Sequence, residues 1–122
     1  MLVVGNVAAI LMGQLAQLNP DLFADKPVLD QDGVRHAGIK NSTVVLKAGF
    51  GQITNLAMKL SADDTVESLV FTAKGQSLSN RFEEYAEIVS DNDLATLKPV
   101  GLIMTGEESV IRQLTKKFSI LS

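Results

Sequence analysis

The only histidine of the chain lies in the segment VLDQDGVRHAGI, which also contains two aspartates and an arginine. Imidazole is the one side chain with an ordinary pKa near neutrality, so His36 is the candidate general base for any acid–base chemistry. Asp30, Asp32 and Gly33 begin a calcium-loop pattern, but the glycine comes too early and no bidentate glutamate follows. Because Asp-Gly is a strong turn signal, we predict a turn here and no metal site. His36 is then either a structural residue or a functional one.

A second group of polar residues follows a predicted strand, in the loop FTAKGQSLSNR. In open α/β sheets, ligands bind where loops leave the carboxyl ends of strands. Hydroxyl groups and two positive charges in this loop suit a small polar or anionic ligand. The candidate ligand-binding residues are Thr72, Lys74, Ser77 and Arg81. The alternative is a solvated loop in which Ser79 or Asn80 caps the next helix.

Two glycine-containing segments, KAGFGQIT and MTGEES, partly match nucleotide-binding patterns. KAGFGQIT has the order of strand, glycine turn and helix that dinucleotide-binding folds use, but Thr54 takes the third glycine position. MTGEES lacks the Lys-Ser or Lys-Thr pair of a phosphate-binding loop, and no GxSxG elbow supports a serine nucleophile. We therefore expect no nucleotide cofactor and no other cofactor.

The composition limits the classes of function. The chain has 122 residues, no cysteine and a net charge of −3. The lack of cysteine excludes disulfides and a cysteine nucleophile, and it fits a cytoplasmic protein. The acidic balance argues against broad electrostatic binding of nucleic acid. We expect neither a secretory signal nor a membrane span, which takes ~20 apolar residues.

Helices and strands are predicted to alternate along the chain. Apolar residues recur at helical spacing from Val7 to Leu18, and Asn19-Pro20 ends this helix and opens a short second helical piece. The predicted strands are Ser42–Ala48, Val66–Thr72, Pro99–Thr105 and a short one in FSIL. Two helix starts show capping-box spacing, Asn80 with Glu83 and Thr105 with Glu108. This order predicts one α/β domain over residues 1–122, with three layers and a mainly parallel or mixed sheet.

Short segments spread over most of the chain carry a family resemblance. They are NVAAIL in the first helix, DQDG in the turn, FT at a strand end, NR at a helix start and VGLIMTGEESVIRQLTKKFSIL near the C-terminal end. Together they resemble a bacterial family of unknown function, the domain-of-unknown-function family number two thousand. GNVAAI and VVLKA are also similar to segments of peptidyl-tRNA hydrolase II. The resemblance implies the fold of that hydrolase, a three-layer α/β/α arrangement with a mixed sheet of about four strands.

The resemblance to the hydrolases fails at two functional positions. They use a lysine at the first helix and an aspartate after the middle strand, where this chain has Asn6 and Thr72. Neither residue can carry the same charge, so we expect the fold without that activity, with both donating hydrogen bonds to a ligand. In the alternative hypothesis, a hydrolase of peptidyl-tRNA or a related ester, His36 replaces the family base and Thr72 or Ser77 orients water. A structural or interaction subunit is the third hypothesis.

The start of the sequence differs from the family as well. Relatives begin with a full strand before the first helix, and this chain has only MLVV there. Because that strand lies in the middle of the hydrolase sheet, its loss leaves neighbouring strands unpaired. We therefore expect an upstream start, another segment or a partner subunit to fill the gap, and we expect a homodimer.

Overall fold

The computed structural model describes residues 2–38, 40–78 and 80–120, and it confirms the predicted α/β class. The helices are α1 (Leu2–Leu18), α2 (Phe50–Ser61), α3 (Ala73–Ser77), α4 (Phe82–Asp91), α5 (Leu94–Leu97) and α6 (Glu108–Thr115), with a 3₁₀-helix at Pro20–Leu22. The strands are β1 (Val28–Leu29), β2 (Arg35–His36), β3 (Leu46–Lys47), β4 (Glu67–Thr72), β5 (Pro99–Thr105) and β6 (Ser119–Ile120). None of the described helices is both long and apolar enough to cross a membrane.

The longest strand pair, β4 with β5, lies at the centre of the packing. The two strands are antiparallel, and their register runs from Glu67 opposite Thr105 to Phe71 opposite Gly101, with an irregularity after Phe71. The bounds of β5 agree with the prediction at both ends, and β4 begins one residue later than predicted. Both segments are rich in branched residues, which pack well on a half-buried pleated surface.

Helix α1 packs closely on this strand pair through a glycine. Val7, Leu11 and Phe71 form one buried cluster. A Cβ at Gly101, the residue paired with Phe71, would collide with Val7 and lie 3.2 Å from the Leu11 Cδ1. The helix therefore reaches this distance because position 101 has no side chain. Helix α2 contacts the same two strands and buries Ala57 and Leu60.

Strand pairing differs from the single mixed sheet of four strands that was predicted. The described residues form three antiparallel two-stranded pairs, β1 with β2, β3 with β6, and β4 with β5. The strand predicted at 42–48 is reduced to β3, because the residues before it are exposed and meet no neighbouring strand there. Residues 2–4 of the segment MLVV are helix and not strand, since α1 begins at Leu2, ahead of the predicted start at Val7.

Helix starts were predicted less well than strands. Asn80 has a left-handed backbone (φ 68°), which an N-cap does not adopt, so α4 begins at Phe82 after Arg81. Thr105 stays in β5, where its strand pairing with Glu67 prevails over capping α6. Both predicted capping boxes are therefore wrong. The end of α1 and the short helical piece after Asn19 are confirmed.

Candidate functional site

The turn predicted at Asp30–Gly33 is present, and Asp30 organises it. The Asp30 carbonyl accepts a hydrogen bond from the Gly33 N–H at 3.1 Å, and its Oδ1 accepts from the N–H groups of Asp32 (2.9 Å) and Val34 (3.1 Å). Gly33 has a φ of 80°, which favours glycine. The carboxylate is therefore used by the backbone of its own turn, as the turn interpretation requires.

His36 completes the same hairpin. Its Nε2 lies 2.7 Å from Asp30 Oδ2, and because an ionised carboxylate only accepts, the histidine nitrogen donates. The hydrogen bond from His36 is the main cause that lowers the pKa of the Asp30 carboxyl, with the Val34 N–H adding to it. Both side chains are exposed. The pair closes the hairpin, and no described contact places His36 beside Thr72.

Thr72, in the predicted loop, is a buried polar residue with 4% of its surface exposed. It ends β4, and its Oγ1 accepts a hydrogen bond of 3.2 Å from the Gly75 N–H, so it caps α3. This contact uses the oxygen as an acceptor and leaves the hydroxyl hydrogen to donate. The structure therefore gives Thr72 a structural role that the sequence did not show.

The other predicted loop residues lie around this cap. Lys74 and Ser77 are in α3, where the Ser77 hydroxyl donates to the Lys74 carbonyl at 2.8 Å. Arg81 lies before α4, with its Nη1 3.8 Å from a Glu84 carboxylate oxygen. Ser79, the alternative cap, lies outside the described residues.

Asn6 is exposed on α1, directly before Val7, and Val7 packs against Phe71, the residue before Thr72. No described contact joins the Asn6 side chain to the loop. The structure therefore places Thr72, Lys74, Ser77 and Arg81 at the end of β4 and in the segment that follows it, and no described contact brings Asn6 or His36 to them.

A cleft of about 640 Å³ lies at the other end of β4 and has an acidic wall. Its carboxylates are Asp63, Asp64 and Glu67. The Thr65 hydroxyl donates to Asp63 and is the main cause that lowers the pKa of this carboxyl. Glu67 accepts from the Asn19 amide at 2.9 Å, which ties the end of α1 to β4. The three carboxylates make the cleft unfavourable for an anion, and Glu67 also links two elements of the fold.

A second cleft, of about 430 Å³, has the opposite charge. Lys47 and Lys117 line it together with Gln52 and Ser119. Lys47 is in β3, and its register partner is Ser119 of β6, so the strand pair brings two distant parts of the chain to one cleft. Within the described part of the chain, neither lysine makes an ion pair. Sequence reasoning missed this basic cleft.

The start of α2 forms the remaining wall of the basic cleft. Gly49 is the N-cap and has no side chain with which to accept the N–H groups of the first turn. The Gly49 N–H itself donates a hydrogen bond of 2.9 Å to the Gln52 side-chain oxygen. Uncapped N–H groups at a helix start favour negative charge. Together with the lysines, they give the cleft a positive potential.

No three or more metal-ligating side chains converge within residues 2–38, 40–78 and 80–120. The candidate binding regions are therefore the basic cleft and the loop that follows β4, because both carry positively charged side chains.

Comparison with known proteins identifies the family. A model of the family of proteins of unknown function DUF2000 matches residues 2–122. The chain belongs to DUF2000. The DUF2000 chain is also similar to a solved structure of a protein of unknown function from Agrobacterium tumefaciens strain C58, with a TM-score of 0.78. The two are 15% identical, and the match covers 96% of this chain and 85% of the other.

The match to the Agrobacterium protein shows the fold of this DUF2000 chain alone, because the identity is low. No curated protein matches the chain. Neither the family nor the structural neighbour has a described activity, which agrees with the predicted domain of unknown function and favours none of the specific alternatives.

Proposed function

We propose that this DUF2000 domain binds a small anionic ligand in the basic cleft. The observation that carries the proposal is the pair Lys47 and Lys117, which line one cleft without a carboxylate partner among the described residues. Two lysines at one cleft give it a positive potential, which favours a bound anion. A phosphate-type ligand is the chemistry that two lysines and a helix start recognise together.

The size and surroundings of the cleft support the same ligand class. A volume of about 430 Å³ is within the usual range for small-molecule sites. The chain as a whole is acidic, with a net charge of −3. The positive potential of the cleft is therefore a local feature that differs in sign from the charge of the whole chain. Gln52 and Ser119 add polar groups that can fix the orientation of a ligand.

The alternative proposed site for a ligand of this class is the loop after β4. Its support is the burial of Thr72 with a hydroxyl hydrogen still able to donate, and the positive charges of Lys74 and Arg81 nearby. The proposed ligand-binding residues of this site are Asn6, Thr72, Lys74, Ser77 and Arg81. The proposal for His36 is structural, since its imidazole is hydrogen-bonded within the hairpin.

The proposed architecture is a single three-layer domain over residues 1–122, similar to peptidyl-tRNA hydrolase II. Its support is that α1 and α2 both contact β4 and β5, and that α1 lies on the face of Phe71 and Gly101. Successive strand residues point to opposite faces, so Val70 and Leu102 face away from α1 and offer α2 an apolar surface. We further propose a cytoplasmic homodimer, in keeping with the cysteine-free composition.

The test is thermal unfolding with and without pyrophosphate, in a phosphate-free buffer at constant ionic strength. A ligand that binds the folded state at about 100 times its Kd adds about 2.7 kcal/mol of stability. We expect a rise in Tm with pyrophosphate that is lost when Lys47→Gln and Lys117→Gln are combined. The matched control combines Lys74→Gln with Arg81→Gln, which removes the same charge from the loop.

Three results contradict the basic cleft as the binding site. Wild-type protein that gains no stability from inorganic phosphate or pyrophosphate does not bind this class of anion. A gain that survives the Lys47 and Lys117 substitutions and disappears in the control places binding at the loop after β4. A gain in stability that is lost equally in the Lys47/Lys117 variant and in the Lys74/Arg81 control shows that the anion responds to the overall charge of the protein and not to a defined site.

A further inference from the structure

One long segment of the chain has no buried residue. Every described residue from 24 to 45, which we term the arm, is exposed. The arm still contains apolar side chains of the size that fill protein cores: Val28, Leu29, Val34, Val44 and Val45. Single exposed aliphatic residues are normal, and a contiguous exposed apolar patch marks an interaction surface. These five residues fall within positions 28–45 of the chain.

The arm is held in a defined shape. Its hairpin pairs β1 with β2, and the turn between them is closed by the hydrogen bonds of Asp30. The two ends of the hairpin meet, because a Cβ at Gly38 would lie only 2.8 Å from the Ala24 Cβ. Lys40 then donates to the Asp21 carbonyl at 2.6 Å, and Asn41 donates to the Leu22 carbonyl at 2.7 Å. A segment ordered before it meets its partner loses little entropy on binding.

The surface area of the whole chain shows that the apolar arm is part of a larger excess. The chain exposes 9097 Å² to solvent. A compact monomer of this mass exposes about 6,400 Å² by the usual scaling, so the excess is about 2,700 Å². A standard protein interface buries about 800 Å² on each partner, and obligate homodimers bury more. The excess is larger than the area that one partner buries in a standard interface.

The charge of the arm favours a second copy of this chain over a partner that is strongly acidic or strongly basic. Its ionised groups are three acidic and three basic residues: Asp25, Lys26, Asp30, Asp32, Arg35 and Lys40. The arm is therefore neutral, carries both signs and does not repel an identical surface. In a two-fold symmetric interface the same patch serves both subunits, which requires this kind of self-complementarity.

We propose that the arm is the dimerisation surface of this protein, and that it packs against a second copy of the chain. The second copy covers the exposed apolar side chains of the arm. The mixed charges of the arm form the rim of the interface. This proposal is independent of the anion site and names the surface through which the proposed dimer forms.

The test is sedimentation equilibrium of the 122-residue chain with matched substitutions. Leu29 in the arm and Leu18 at the end of α1 are 59% and 57% exposed, so Leu29→Glu and Leu18→Glu make the same change at equal exposure. We expect the wild type to sediment at twice 13.1 kDa. Leu29→Glu and, separately, Val34→Glu then raise the dimer dissociation constant at least about ten-fold, or 1.4 kcal/mol. Leu18→Glu leaves it unchanged.

Either of two outcomes overturns the proposal. A wild-type protein that is monomeric across the micromolar range leaves the arm without a second copy as its partner. A dimer that survives both arm substitutions, or that Leu18→Glu dissociates equally, places the interface elsewhere. Because all three sites are exposed, the variants fold, and far-ultraviolet circular dichroism verifies this.

Discussion

At the scale of single residues, the buried Thr72 uses its side chain to cap the helix that follows β4. Its oxygen accepts the Gly75 N–H at the start of α3, and its hydroxyl hydrogen is not used in that contact. An aspartate at this position would bring a negative charge to the end of β4. Threonine keeps an acceptor for the cap without that charge.

The first prediction concerns this cap. Thr72→Val keeps the shape of the side chain and removes the acceptor, which leaves a buried N–H unsatisfied. We expect a loss of about 1 kcal/mol in the free energy of unfolding, measured by urea denaturation. Thr72→Ser is the control, because it keeps the acceptor oxygen. Equal stability of the Val variant and the wild type would show that the cap contributes nothing.

The second prediction concerns acid. Local hydrogen bonds lower the pKa of Asp30, Asp63 and Asp93, with the first donors being His36, Thr65 and Thr96 respectively. A carboxyl whose pKa is lower in the folded state stabilises the fold above its unfolded pKa, and this contribution is lost as pH falls through the folded pKa. We therefore expect these groups to leave Tm unchanged above about pH 5 and to decrease it below about pH 4.

Asp93→Asn tests the acid effect, because asparagine also caps a helix but does not titrate there. Asp93 accepts the Thr96 N–H at 2.8 Å in the cap of α5. We expect a shallower loss of Tm on acidification in this variant than in the wild type. A loss of equal steepness would show that the Asp93 carboxyl contributes nothing to the acid sensitivity.

At the scale of secondary-structure elements, the contact of α1 with the β4–β5 pair depends on Gly101. Its missing Cβ lets Val7 and Leu11 approach the strand, and Phe71 fills the space beside them. We predict that Gly101→Ala decreases the free energy of unfolding by about 1–3 kcal/mol, because the helix must shift or the core is overpacked.

Gly13→Ala in the same helix is the matched control for this contact. No atom lies within 4 Å of a Cβ built at Gly13, so the change relieves the entropic cost of a helical glycine without a collision. We expect a gain of about 0.5–1 kcal/mol in urea denaturation. Opposite signs for the two glycines support the packing described here, and destabilisation of both to a similar extent argues against it.

Elements with a strong local pattern were predictable, and those that depend on distant contacts were not. Branched apolar runs predict β4 and β5, and the Asp-Gly pair predicts the turn of the β1–β2 hairpin. Leu46 pairs with Ile120, however, and no local signal indicates a partner so far along the chain. The basic cleft depends on that pairing, so Lys117 could not be recognised as a site residue. The β3 lysine, Lys47, opens the segment KAGFGQIT, whose nucleotide-binding pattern is incomplete.

At the scale of the whole molecule, charge is divided between two clefts. The acidic one lies where α1 and β4 are joined by Asn19 and Glu67, and hydrogen bonds within the fold hold two of its carboxylates, Asp63 and Glu67. The basic one lies where β3 and β6 meet at the start of α2, and its lysines are not paired with carboxylates in the described part of the chain. This contrast distinguishes a site that serves the fold from one that is available to a ligand.

The central claim is that the basic cleft binds an anion, and an amide-resolved NMR titration of the ¹⁵N-labelled protein with pyrophosphate tests it most directly. We predict saturable shifts of the amide signals of Gly49, Gln52 and Lys117, which weaken as ionic strength rises because the cleft is open to solvent. Signals near the acidic cleft, such as Thr65, stay in place. Saturable shifts confined to residues 72–81, or no saturable shift at all, would contradict the assignment of the site.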